Sequence, residues 1–272
     1  MQTIALPKKI EFKKGEEPNR GSIIIEPCYP GYGTTLGNSL RRVLISSLPG
    51  AAVVGVKIKG ADHEFTAIPH IKEDVLEIIL NLKQLRLKVY SEEIVKLNLE
   101  VHGEKEVKAS DIEKNSEVEI INKNLVIAHI TDMAGSLSME VYVSQGRGYE
   151  TIEARETKKH EIGYIEMDSI FSPVFSVGVN IENVRVGKMT NWDKLILDIT
   201  TDGTIAPKEA FNQAVEILIN QFTSLKTIEE GEAIEEKKEE VEEPVEETKA
   251  KEEEKEEIGV GEKKKRGRPK KV

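Results

Sequence analysis

Residues 31 to 44 of this 272-residue chain read Gly-Tyr-Gly-Thr-Thr-Leu-Gly-Asn-Ser-Leu-Arg-Arg-Val-Leu, a glycine-rich turn running into a helical pattern. Glycines ahead of a helix let backbone N–H groups approach a phosphate. A strand at 22–26, this turn, the helix and a second strand ending near Asp62 therefore sketch a dinucleotide-binding unit. The spacing departs from that pattern. Gly31-x-Gly33-x-x-x-Gly37 replaces G-x-G-x-x-G, and Pro27, Cys28, Tyr29 and Pro30 separate the strand from the first glycine. Proline has no N–H to give a ladder, so the strand is expected to stop before Pro27. The 100 residues beyond Asp62 hold one convincing helical pattern, where a nucleotide fold would alternate strands and helices.

The second chemistry open to this segment is contact with another protein. Leu36, Leu40, Val43, Leu44 and Leu48 recur at helical period and form an apolar stripe. Thr34 or Thr35 is expected to cap the start, and Pro49-Gly50 to end the helix. Arg41 and Arg42 point about 100° apart, so at least one leaves the stripe and faces solvent or a partner.

Other catalytic groups are sparse. Phosphoryl or nucleotidyl transfer needs clustered carboxylates to hold Mg²⁺, and no Asp cluster is present. Asp202, in Thr-Asp-Gly-Thr at 201–204, reads as a turn residue. His63, His70, His102, His129 and His160 are dispersed, and Cys28 is the only cysteine. No intrachain disulfide and no cysteine-based metal cluster can form. Gly146-Arg147-Gly148-Tyr149 either brings backbone close to an anion or makes a turn or bulge after a strand. No active site is visible, and we expect no cofactor or metal on this chain.

These groups are set on a mostly β framework. Period-two alternation places Ala52, Val54, Val56 and Ile58 on one face of a strand at 51–61, with Lys57 and Lys59 on the other. The same alternation recurs at Leu85, Leu87 and Val89, at Val95 to Val101, at Leu137 to Val143 and at Leu195 to Ile199. Helical period appears at 36–48, at 73–82 with Val75, Leu76, Ile79 and Leu80 inward, and at 207–225. The last has Pro207 and Glu209 in its first turn and a stripe of Phe211, Val215, Leu218 and Phe222. The class is α+β, mainly antiparallel sheets with three helices.

Composition ends the folded part near Thr227. From Glu229 to Glu257 there are 16 Glu against 5 Lys and almost nothing apolar, which predicts disorder. Of the net charge of −10, residues 1–228 carry 27 basic and 32 acidic groups, so overall acidity names no partner. No apolar run approaches the roughly 20 residues that span a bilayer, and the first 11 residues lack a secretory apolar core. A soluble, unexported, cytoplasmic protein is expected.

Several segments then act together: 31–50, Glu-Asp-Val-Leu-Glu-Ile-Ile-Leu-Asn-Leu-Lys at 73–83, Gly-Arg-Gly-Tyr at 146–149, Ser-Pro-Val at 172–174, Asp-Lys-Leu at 193–195 and Asp-Gly-Thr-Ile at 202–205. In this order they closely resemble the bacterial RNA polymerase alpha subunit family over residues 2–227. The resemblance implies an assembly scaffold. A dimerisation subdomain at 1–50 and 175–227 is interrupted by an inserted β-rich subdomain at 51–174. The helices at 36–48 and 207–225 would pack on a second copy, with Leu36, Leu40, Leu44, Phe211, Leu218 and Phe222 as interface candidates. One protomer would hold the beta subunit and the other beta-prime, the catalytic Mg²⁺ belonging to those partners. Arg42 matches the family's beta-contacting arginine, with Arg41 beside it, and Lys83 is a candidate for beta-prime contact.

The family usually continues into a second, helical domain that binds upstream DNA and activators, and this sequence is expected to lack it. After an acidic linker at 228–257 comes a basic tail at 258–272, with seven positive charges between Lys263 and Lys271. Its core of Arg266, Gly267, Arg268 and Pro269 resembles an AT-hook, whose arginines enter the narrow minor groove of A·T-rich DNA. The plainer reading is a basic tail with only nonspecific phosphate affinity.

Overall fold

The computed structural model describes residues 4–155 and 162–225. The acidic linker and the basic tail lie outside the described residues, as does His160. The elements run β1 (Lys9–Lys14), β2 (Arg20–Cys28), α1 (Tyr32–Ser46), β3 (Pro49–Ile58), α2 (Val75–Leu82), β4 (Leu87–Val89), β5 (Val95–His102) and β6 (Lys105–Lys108). There follow β7 (Val118–Ile120), β8 (Val126–Ile130), β9 (Ser136–Arg147), β10 (Tyr149–Glu150), β11 (Tyr164–Glu166), β12 (Ser169–Ile170), β13 (Val174–Val186), β14 (Met189–Thr201) and α3 (Pro207–Leu225). All strand pairings between these elements are antiparallel, so the α+β class holds.

Two four-stranded sheets organise the chain, one in the order β1-β2-β14-β13 and the other β11-β3-β9-β5. Strands β2 and β3, on either side of α1, therefore lie in different sheets. A dinucleotide-binding unit would set them in one parallel sheet. Each sheet has its own apolar core. One gathers Ile23, Ile25, Leu40, Leu44, Leu48, Leu195, Leu197, Phe211 and Ala214, from segments far apart in sequence. The other, larger core is drawn from Val53 through Met167 and is filled by β5, β9 and α2. Arg86 bridges towards the first sheet, its guanidinium carbon 4.8 Å from the centre of the Phe175 ring.

Local departures from the sequence expectation have physical causes. The predicted inward face of α2 is corrected: Val75, Ile78, Ile79 and Leu82 are buried, while Leu76 and Leu80 are 40% and 52% exposed. The buried set is spaced i, i+3, i+4 and i+7, the true helical stripe, and Asp74 caps the start by accepting from the Glu77 N–H at 2.7 Å. Strand β2 runs through Pro27 to Cys28, and its ladder with β14 shifts register between Asp193 and Leu195, where the proline gives no N–H. Strand β3 carries a bulge between Val53 and Gly55. The extra residue inverts the alternation, so Ala52 and Val54 pack on Phe171, whereas Val53, Val56 and Ile58 enter the large core.

Phe171 also explains two glycines. A Cβ on Gly146 would lie 2.7 Å from its ring, and one on Gly50 only 1.8 Å from its backbone oxygen. Gly50→Ala is expected to cost about 3 kcal/mol, because a backbone oxygen cannot swing aside. Gly178→Ala, whose nearest contact would be an ordinary 3.4 Å to Asp198, should stay within about 1 kcal/mol of the parent chain. Urea unfolding midpoints of the two variants check both.

Candidate functional site

Helix α1 is the centre of the site, and its placement follows from three glycines. Gly31 precedes the helix in the left-handed conformation at φ +86°, and no side chain of the helix itself caps it. The expected Thr34 or Thr35 cap is corrected: the Thr35 hydroxyl donates to the Gly31 carbonyl. The N–H groups of Gly31 and Gly33 donate instead to one oxygen of Asp193, at 2.9 and 3.0 Å. A phosphate would need those same donors and the same positive helix end. An internal carboxylate occupies them, and with β2 and β3 in separate sheets this removes the nucleotide reading.

The two later glycines let α1 lie directly on the β13–β14 hairpin. A Cβ on Gly33 would stand 2.9 Å from the Asp193 carboxylate, and one on Gly37 2.7 Å from Val179 and 2.9 Å from Leu195. At the other end the Ser172 hydroxyl donates to the Ile45 carbonyl at 2.8 Å. The helix is thus tied at both ends by residues far along the chain. Leu40, Leu44 and Leu48 point into the core, each at or below 5% exposure, with Leu36 and Val43 half-buried beside them. Arg41 at the flank of this face and Arg42 away from it are both exposed, and neither guanidinium is paired among the described residues.

Burial sorts the dimer candidates. Leu40, Leu44 and Phe211 already fill the chain's own core, so they offer a second copy almost no free surface. Leu36 and Leu218 are half-buried, and Phe222 is 61% exposed. Helix α3 has the predicted bounds but buries Pro207, Ala210, Phe211 and Ala214, near its start. Its second half leaves Ile219, Phe222 and Leu225 in solvent.

Lys83 follows α2 directly. Its ammonium is 4.0 Å from Asp168, which also accepts from the Ile152 N–H at 3.0 Å and the Tyr149 hydroxyl at 3.1 Å. The Ile152 N–H holds the Asp168 carboxyl below its usual range against the opposing effect of burial, with Tyr149, Lys83 and Arg155 adding to the lowering. Gly148, at φ +65°, accepts the Phe171 N–H on its carbonyl at 2.8 Å. The 146–149 glycine motif is therefore a packing turn. Lys83, Tyr149 and Asp168 converge in this way, while Arg266, Gly267, Arg268 and Pro269 lie outside the described residues.

Chemically the surroundings are quiet. Among the described residues no group of three or more His, Cys, Asp or Glu is placed to hold a metal ion, and no helix is long and apolar enough to cross a membrane. Cys28 is fully buried, and burial, with the Asp193 charge, pushes its thiol up. A cleft of about 290 Å³ has Lys88 and Glu209 as its only charged lining groups. Sequence reasoning gave no role to Asp193, Asp168 or Ser172, although Asp193 and Ser172 stand in the recognised motifs. Asp202 is a turn residue as expected, accepting the Thr204 N–H at 2.9 Å.

Comparison with known proteins gives a consistent result. The family model described as the RNA polymerase Rpb3/RpoA insert domain matches residues 56–172. The DNA-directed RNA polymerase subunit alpha of Carboxydothermus hydrogenoformans is 49% identical over 223 residues, 81% of this chain and 71% of the relative. Those of Desulforamulus reducens and Staphylococcus aureus strain Newman are 45% and 44% identical over 249 residues, 90% of this chain and 79% of each relative.

The entry of α2, the helix that leads to Lys83, is held by a carboxylate. Glu73 accepts the His129 N–H at 2.7 Å and also bonds the His129 ring. Burial alone would raise the Glu73 carboxyl, but the His129 backbone and ring hydrogen bonds outweigh it and the net shift is downward. A carboxylate lowered on folding contributes stability that is complete above its unfolded value, near 4.5, and is lost as pH falls through the folded value. Glu73→Gln is therefore expected to be less stable than the parent at neutral pH, the gap closing as pH falls below about 4.5. Urea unfolding above and below that pH checks the sign.

Proposed function

This chain belongs to the bacterial DNA-directed RNA polymerase alpha subunit family, and on that footing we propose that it is a non-catalytic, homodimeric scaffold that gathers the beta and beta-prime subunits into the transcribing enzyme. The observation that carries this reading is the two-sided character of α1. One face is locked into the core, and the exposed remainder presents Arg41 and Arg42 unpaired in solvent. A guanidinium offers a rigid fork of donors matched to carboxylates and carbonyls, and arginine is enriched in protein interfaces. Arg41 and Arg42 contact beta, and Lys83, held near Asp168, contacts beta-prime.

The dimer uses the surface that α3 leaves uncovered. Phe222 is its anchor, with Leu36 and Leu218 at the margin, while Leu40, Leu44 and Phe211 support it from beneath. A two-fold interface is self-complementary, so one exposed aromatic serves both protomers. The subdomain division at 1–50 and 175–227 against 51–174 is supported by the two separate apolar cores. The chain takes no cofactor of its own, the catalytic Mg²⁺ being held by the partners. It works in the cytoplasm on the nucleoid, away from membranes. The acidic linker tethers the basic tail, which contacts A·T-rich upstream DNA through Arg266, Gly267, Arg268 and Pro269.

Three measurements separate these roles. Arg42→Ala is expected to remain a dimer by light scattering while recovering beta at least about tenfold less well. Normal recovery of beta would remove that role. Phe222→Glu sets a charge in the apolar contact and is expected to halve the mass of the isolated chain in solution. For the tail, a peptide of residues 258–272 is expected to bind A·T-rich duplex more tightly than G·C-rich duplex at moderate salt. Equal binding would leave only phosphate affinity.

A further inference from the structure

The start of α1 is held by a residue some 160 positions later in the chain. We infer that Asp193 is a positioning residue for subunit capture, its carboxylate fixing the rotation and register of α1 on the hairpin and through them the direction of Arg41 and Arg42. The inference rests on the recruiting role proposed for α1.

Four observations carry it. Asp193 is 8% exposed and is one of only three buried polar or charged residues among the described ones. Its Oδ2 takes both helix-start donors, which no side chain of the helix satisfies. Two hydrogen bonds to successive odd-numbered residues define an azimuth, which apolar packing alone does not. The carboxylate also answers the positive end of the helix.

The neighbouring residues are shaped to this contact. Lys194, next in the chain, turns to the other face of the sheet and pairs with Glu182 at 2.8 Å, so it does not draw the carboxylate away. Trp192 and Tyr29 stand edge to face with ring centres 5.8 Å apart, and Tyr29 meets Tyr32 likewise at 6.1 Å, beside the capped turn. Gly33 has no room for a Cβ because the carboxylate is there, and Gly37 has none because Leu195 is there. The pairs Gly33–Asp193 and Gly37–Leu195 advance together along helix and strand, which sets the register. Arg41 lies eight residues, about 12 Å, beyond Gly33 along the axis, so a sliding or turning α1 would displace it directly.

The test uses the full chain with Asp193→Asn, Asp193→Ala and Gly33→Ala, each first checked as a dimer. Amide hydrogen exchange at Gly31 and Gly33 and recovery of the beta subunit are then measured. The amide oxygen of Asp193→Asn can accept the same two bonds, so this variant should keep exchange protection and capture within about threefold. Asp193→Ala should lose about five- to tenfold in both, the usual effect of a lost helix cap. Gly33→Ala should behave the same way, and combining it with Asp193→Ala should add nothing, because both remove one contact.

Unchanged exchange in Asp193→Ala would overturn the inference. So would lost protection with normal capture, provided Arg42→Ala still weakens capture in the same assay. If Arg42→Ala also captures normally, the recruiting reading falls and takes this inference with it, and the control identifies which has failed.

Discussion

The structure depends on the close approach of helix α1 to the β13–β14 hairpin. Gly33 and Gly37 remove the side chains that would hold the two apart, and Asp193 closes the gap with hydrogen bonds from the helix start. With α1 seated, Leu40, Leu44 and Leu48 reach the core, each contributing about 1.5–3 kcal/mol by burial. The polar side of the helix is then necessarily outward. The scaffold role proposed above needs this division: a face committed to its own fold and a face left for another chain.

The rest of the molecule keeps that arrangement stiff. The chain leaves the first sheet after α1, builds a second core of its own between Val53 and Met167, and returns through β13. Ser172, at the point of return, ties the end of α1, and the cation–π contact of Arg86 with Phe175 joins the two parts again. For the scaffold role proposed above, such cross-bracing would fix the direction of each contact by packing rather than by loops. Among the described residues no group of three or more His, Cys, Asp or Glu is placed to hold a metal ion beside α1.

Much of the fold was legible in the sequence, because period-two and period-3.6 patterns survive wherever one face is buried. The bounds of α3 and the alternation of β5 and β9 needed nothing else. What escaped were features set by tertiary contact. The β3 bulge shifts the phase of a pattern whose residue types are all apolar, so Ala52 and Val54 look the same on either face. On α2 six of the eight residues are leucine, isoleucine or valine pointing around the helix, so the sequence pattern alone does not single out the buried stripe. The Asp193 cap has no local signal at all, since its donors lie some 160 residues away. The candidate site was legible as a helix with two arginines. Which of its leucines were free for a partner was not, because a core leucine and an interface leucine have the same composition and period.

The most direct test of the scaffold account is native mass spectrometry of the tagged full chain, purified from its own cells at moderate salt. The account predicts one assembly containing two copies of this chain with one copy each of two very large subunits. Recovery of the chain alone, or bound only to DNA, would contradict it.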